Sequence, residues 1–363
     1  MRSFLEEVKF GMEGGYKGIP GGLPRFDKFT ANIQKKSYTA IGALPKTAKT
    51  AFLDHRYVLQ PYLSGNKNIN WIYFSYEIDR IEKMAKYCAY FMYLKYGMRV
   101  DLNFILTKGD REKKLDAKTY KLVEEIYHSH LKELFGEYDV RGNCTLKGRI
   151  DFHEDKTNPT GVRNYLMKYA EANGKFVKEP YTTEEGAKER IIGYTEKNPD
   201  LFTIVILDHV GLLKKERGFN KKENIDKMSE YFVWLRNLCK FTIVVTSQFN
   251  RDINKVDRLK FAGEHLQPSR EDFKDTGNLA EDVSMLIGLF NPTLYHHIDK
   301  HLDYDLTKIG SGYRSIHILD SRNTEGNVNL GLNLVGECGY FEELPTIEEI
   351  KDNPKLYDKY RVV

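Results

Sequence analysis

Cysteine is scarce in this chain: Cys88, Cys144, Cys239 and Cys338 are the only four in 363 residues, and no two of them form a CxxC pair. That spacing excludes a disulfide framework and a cysteine-based structural zinc site, and it fits a reducing compartment. Nowhere is there a run of about 20 apolar residues, the length that spans a bilayer, so no membrane partner is expected. The opening MRSFLEEVKFGMEGG lacks the basic start and unbroken apolar core of a secretory signal. The expectation is a soluble intracellular protein. An excess of one charge sign is missing as well, since 56 Lys and Arg against 52 Asp and Glu leave +4; any nucleic-acid binding must come from local basic patches. Internal repeats and low-complexity tracts are also absent.

What remains is enough to build a large core. Hydrophobic residues make up 41% and aromatics 13% of the chain, which excludes wholesale disorder. The length suits one enlarged α/β domain with insertions as well as two domains. Residues 1–22 read as a lead ending in a turn rich in glycine and proline. Residues 23–345 read as the main domain, with a helical and polar insertion around 108–200, and 346–363 as a polar tail or peripheral helix.

Within the main domain, SYTAIGA (37–43), NWIYFSYE (70–77), LFTIVILDHVGLL (201–213) and FTIVVTSQF (241–249) predict strands. Their continuous apolar character fits strands buried on both faces of a parallel sheet. AFLDHRYVLQPYL predicts a helix ending around Pro61, and IDRIEKMAKYCAYFMYLKYG one closing at Gly97. MSEYFVWLRNLCK predicts another between the last two strands. Strands alternating with helices imply an α/β fold with function at the carboxyl ends of the strands.

Chemistry-bearing residues fall at those ends. IGALPKTAKTAFL follows the first strand and reads as a phosphate-gripping loop of the form G-x-x-x-x-G-K-[ST]. Gly42 is taken as its first glycine, Pro45, Lys46 and Thr47 as its turn, and Ala48 as the one mismatch. In such loops backbone N–H groups wrap the phosphates, here with Lys49 on the outer phosphates and the Thr50 hydroxyl on Mg²⁺. Asp208 ends a strand where a carboxylate can hold the metal or its water, or can simply cap the next turn. Glu77 ends another, where it could deprotonate an attacking water or cap the following helix. Gln248 ends a third, where an amide can sense the terminal phosphate or satisfy exposed backbone. KKERGFNKKEN (214–224) and NRDINKVDRLK (250–260) are basic loops suited to phosphate contacts or to solvation. The histidines of YHHIDKH, His297 and His301, and the pair His128 and His130 lack the further ligands that a zinc site needs.

In this order the motifs resemble the C-terminal, RecA-like motor domain of DnaB-type replicative helicases, over most of residues 18–345. GIPGGLPRFDKFTANI is similar to that family's opening segment, GALPKTAKTAF to its phosphate loop and YFSYEID to the motif with its catalytic glutamate. ILDHVGLL resembles the motif with the metal-holding aspartate, VVTSQFNR that with the sensing glutamine, and DFKDTGNLAEDVSMLIGLF an acidic segment before the next strand. ILDSRNTEGNV resembles the late motif that carries an arginine finger, which falls on Arg322. The resemblance implies a RecA-like P-loop NTPase core and a homo-oligomeric ring of usually six subunits. It further implies hydrolysis of ATP or another NTP with Mg²⁺ at subunit boundaries, and a grip on single-stranded DNA. Glu77, Gln248 and Arg322 would be catalytic, Arg322 acting on the neighbouring subunit.

The sequence departs from the family at Ala48, where a positive φ would cost on the order of 1 kcal/mol, and at Asp320, where the family has lysine. The roughly 20 lead residues are too short to form the family's N-terminal domain, which docks primase, so that domain is not expected here. That architecture is expected of bacteriophages and other mobile elements, hence of a host cytoplasm, with primase or loader contacts open. A weakly active assembly or regulatory protein on the same fold, and a recombination-type DNA-dependent ATPase, are the alternatives.

Overall fold

The computed structural model describes residues 3–109, 115–139, 141–183, 186–255, 266–276, 278–295, 298–322 and 328–360. Nine strands form the central sheet: β1 (Tyr38–Ala43), β2 (Ile69–Ser75), β3 (Ile150–His153), β4 (Phe202–Asp208), β5 (Thr242–Gln248), β6 (Met285–Phe290), β7 (Tyr313–Ser321), β8 (Asn329–Val335) and β9 (Tyr340–Glu343). Their order is β9-β8-β7-β6-β1-β5-β4-β2-β3. The six from β6 to β3 run parallel, and β7, β8 and β9 add an antiparallel meander at one edge.

The expected burial on both faces is met by alternation. Trp71, Tyr73, Ile204, Ile206 and Val244 enter one core, with Phe52, Tyr87 and Phe91 from the helices above it. Ile72, Phe74, Val205, Leu207, Ile243 and Val245 enter the other, against Leu166, Met228, Phe232 and Leu235. Because strand side chains alternate with period two, an unbroken apolar run is what a doubly covered strand requires.

Two local readings change, and a third is narrowed to one of its alternatives. The helix after the phosphate loop does not stop at Pro61 but runs from Lys49 to Leu63, with a wider π turn at His55–Leu59. That turn carries the Gln60 N–H back to the His55 carbonyl, so proline one position on enters a ladder already shifted. Inside 108–200, the edge strand β3 pairs with β2, and Gly174–Thr183 and Gly186–Glu196 form a two-stranded ribbon. The last segment is helical at Ile347–Asp352 and Pro354–Lys359, and it is anchored by buried Ile350 and Tyr357.

At the other end of the chain, Phe4–Met12 is a helix with a Ser3–Glu6 capping box and no buried residue. Phe4, Leu5 and Met12 are each more than 70% exposed. No helix among the described residues is long and apolar enough to cross a membrane.

Candidate functional site

Strands β1, β5, β4 and β2 lie side by side, so their carboxyl ends form one continuous ledge. The chain leaves β1 at Ala43 and turns tightly, with Lys46 at φ 63° and Ala48 at φ 69°, before the helix starts at Lys49. The left-handed backbone at Ala48 is the conformation in which a methyl group is strained. That helix has no side-chain cap, which leaves its first N–H groups directed at whatever sits before it, the arrangement that binds anions.

The reading of Gly42 as the loop's first glycine is corrected. Five residues, not four, separate it from Ala48, so Ala43 takes the first glycine position of the pattern and both of its glycines are alanine. Gly42 lies within β1, and a Cβ there would stand 2.2 Å from Phe249 Cε1 and 2.2 Å from Phe273 Cζ. The absent side chain is demanded by that edge-to-face aromatic pair, with centroids 5.0 Å apart, and not by phosphate.

Thr50 and Asp208 come together as expected: the Thr50 hydroxyl donates to Asp208 Oδ2 at 2.7 Å, and Thr246 donates to Oδ1. Burial pushes the Asp208 carboxyl up, but Lys83, Lys49 and the two threonine hydroxyls outweigh it and hold its pKa below the usual aspartate value. Lys49 Nζ reaches the Ser247 carbonyl at 3.3 Å. Burial draws its pKa below that of an ordinary lysine, against the pull of Asp208 and Glu77. A threonine hydroxyl and an ionised carboxylate are the hard oxygen donors that Mg²⁺ takes, with phosphates and water completing its shell. No cluster of three or more His, Cys, Asp or Glu able to hold a metal occurs among the described residues, and Mg²⁺ on a nucleotide does not require one.

Strand β2 ends at Ser75, and Glu77 stands two residues beyond it, about half exposed, with Oε1 3.2 Å from His209 Nε2. Gln248 is the exposed last residue of β5, in register with Ala43 at the mouth of the loop. Arg322 does not join them. Its backbone N–H donates to Ser284 and its guanidinium to the Glu281 carbonyl, beside Tyr38 at the amino end of the sheet. That is a strand length, roughly 17 Å, from the phosphate loop. Asp320, the charge reversal, faces Arg270 at 3.5 Å. Residues 323–327 of the same motif, 256–260 of the second basic loop, and His297 lie outside the described residues. In the first basic loop Lys214, Lys215, Arg217, Lys221 and Lys222 are exposed.

Three supports escape a reading of the sequence alone. Lys83 is fully buried and binds Asp54 at 2.8 Å, with Tyr73 and Tyr87 also donating to Asp54. Arg314, also buried, donates to the Thr47 carbonyl at 3.2 Å and braces the loop from β7, with burial lowering its pKa to about 10. His209 is the third. Spacings such as Asp54 to Lys83 or Thr47 to Arg314 carry no local pattern; the only signal is a charged residue at an otherwise buried helix or strand position.

No protein-family model matches the chain, and no curated protein matches it. Among solved structures the fold is well represented. One similar structure is an ATPase domain, with 14% identity, a TM-score of 0.62 and coverage of 94% of this chain and 97% of that one. Another is a DnaB-like replicative helicase, described with its interactions with primase. It shows 14% identity, a TM-score of 0.63 and coverage of 94% of this chain and 68% of that one. The fold is the RecA-like ATPase architecture of DnaB-type helicase motor domains.

Proposed function

We propose that the chain is a DnaB-like, Mg²⁺-dependent NTP-hydrolysing motor that moves on single-stranded DNA during replication, assembled as a ring of identical subunits, six by analogy. The observation that carries this reading is the convergence of Lys49, Thr50 and Asp208 on one ledge, with Glu77 at the tip of the next strand. Lys49 and the uncapped helix N-terminus bind the β and γ phosphates. Thr50 and Asp208 would hold Mg²⁺, whose chemistry when bound is to neutralise charge on the phosphate oxygens. Glu77 orients and deprotonates the attacking water, and Gln248 senses the terminal phosphate from the mouth of the loop.

Arg322 is too far from its own chain's site to stabilise charge there, so it acts on a neighbour. The exposed apolar side chains of Phe4–Met12 offer a surface for such a neighbour. The exposed lysines and arginine of 214–222 suit DNA phosphates, a contact that weakens steeply with salt. A primase or a loader would be a further partner. Hydrolysis of ATP with and without single-stranded DNA tests the reading. Turnover should rise with DNA and vanish in Lys49→Ala; undiminished turnover in that variant would sink it. A second reading, a weakly binding regulatory protein on this fold, is favoured by the alanines at both glycine positions. An absence of binding at millimolar ATP and Mg²⁺ would select it.

A further inference from the structure

We infer that His209 is a positioning residue that holds the carboxylate of Glu77 through Nε2–H, an inference that rests on Glu77 being the base. The backbone sets the two side chains face to face. Ser75 and Asp208 are in register at the ends of β2 and β4, and the Tyr76 N–H donates to the Asp208 carbonyl at 3.1 Å. One residue beyond the end of β4, and two beyond the end of β2, the chain presents His209 and Glu77 with Nε2 and Oε1 3.2 Å apart.

The other ring nitrogen fixes which atom carries the proton. The Gly211 N–H donates to His209 Nδ1 at 3.1 Å, so Nδ1 must offer a lone pair, and the proton of the neutral ring lies on Nε2. Gly211 makes that approach possible, since a Cβ there would stand 2.8 Å from His209 Cε1 and 2.9 Å from Nδ1. The ring is largely buried while Glu77 is about half exposed. The imidazole is therefore the fixed partner and the carboxylate the one being steered. A near-attack geometry for water depends on such steering, and a misplacement of about 1 Å can cost 100-fold.

The competing role is structural: the same Nδ1 contact caps the short turn Val210–Leu212. Asparagine keeps an acceptor at the Gly211 end but does not reach Glu77, whereas glutamine places a donor near the position of Nε2. His209→Asn should lower kcat for ATP roughly 10- to 100-fold, with KM, nucleotide affinity and melting temperature unchanged. His209→Gln should recover turnover to within about threefold of the parent. An His209→Asn variant as fast as the parent, in a protein where Glu77→Gln is inactive, overturns this inference and leaves the reading of Glu77 standing. Equal losses in the asparagine and glutamine variants overturn it too. Full activity in Glu77→Gln overturns both. Independently of turnover, ¹⁵N NMR of the His209 ring should show a bare Nδ1 and a protonated Nε2 in the neutral form, and the opposite tautomer would refute the assignment.

Discussion

The two ends of the parallel sheet are built differently. At the carboxyl ends, β1 leads into Lys49, β4 closes on Asp208, and Thr246 of β5 donates to that carboxylate, while a buried ion pair, Lys83–Asp54, lies nearby. At the amino ends the described polar contacts are structural: Arg149 on the Ile69 and Asn66 carbonyls and on Glu133, Lys35 and Lys240 with Glu196, Tyr38 with Ser229, Arg236 with Ser284, and Arg322 on the Glu281 carbonyl. One end therefore gathers the residues proposed to bind phosphate, while the remaining cation of the motif set, Arg322, sits at the other. The difference teaches that, on the proposed function, a single chain would supply the grip and the base but not the finger. On that proposal, a second copy would complete the site.

The sharpest way to break that comparison is to separate the two ends into different chains. Arg322→Ala should lower hydrolysis by roughly 10³-fold or more, as loss of an arginine finger does, with nucleotide affinity retained. Mixing it with Lys49→Ala chains should restore part of the activity, because some interfaces then pair an intact loop with an intact finger. Arg322→Ala chains that hydrolyse at the parental rate would place the finger elsewhere.

A smaller effect is expected beneath the ledge. Lys83→Met leaves the Asp54 carboxylate buried without its cation, which should destabilise the fold by about 3–5 kcal/mol in urea titrations. Changing both members, Lys83→Met with Asp54→Leu, should recover most of that loss, since an apolar pair avoids the desolvation cost. An additive double change would mean that the two are not coupled.

These two cases mark what is legible in the sequence. Lys49, Thr50, Asp208, Glu77 and Gln248 stand out as candidates because phosphate chemistry would need those residue types next to strand ends, and strands buried on both faces announce themselves as apolar runs. Gly42 misleads for the same reason: a glycine beside a phosphate loop looks like part of it, whereas Phe249 and Phe273, more than 200 residues on, are what require it. Lys83, Asp54, Arg314 and His209 acquire meaning only through partners that the fold brings together. The edge strand β3 is missed because four residues, IDFH, within a charged stretch carry too little periodicity to stand out.

The smallest effect concerns the loop itself. Ala48 holds a left-handed backbone at φ 69°, and Ala48→Gly should relieve about 1 kcal/mol of strain. A titration with ATP and Mg²⁺ should then show binding tightened by about fivefold. Unchanged affinity would show that the strain is absorbed by the fold and not by the ligand.

Strand β1 also imposes an order of events on synthesis. It is hydrogen-bonded on one side to β5 and on the other to β6, both of which emerge from the ribosome some 200 residues after it. At about 5–20 residues per second, the strand that carries the phosphate loop waits on the order of 10–50 s for its neighbours. Throughout that interval its six residues, YTAIGA, are an unpaired apolar edge. A nascent chain of this protein therefore assembles the ledge of strand ends late, and the strand exposed to mispairing on the way is the one on which the proposed nucleotide site depends.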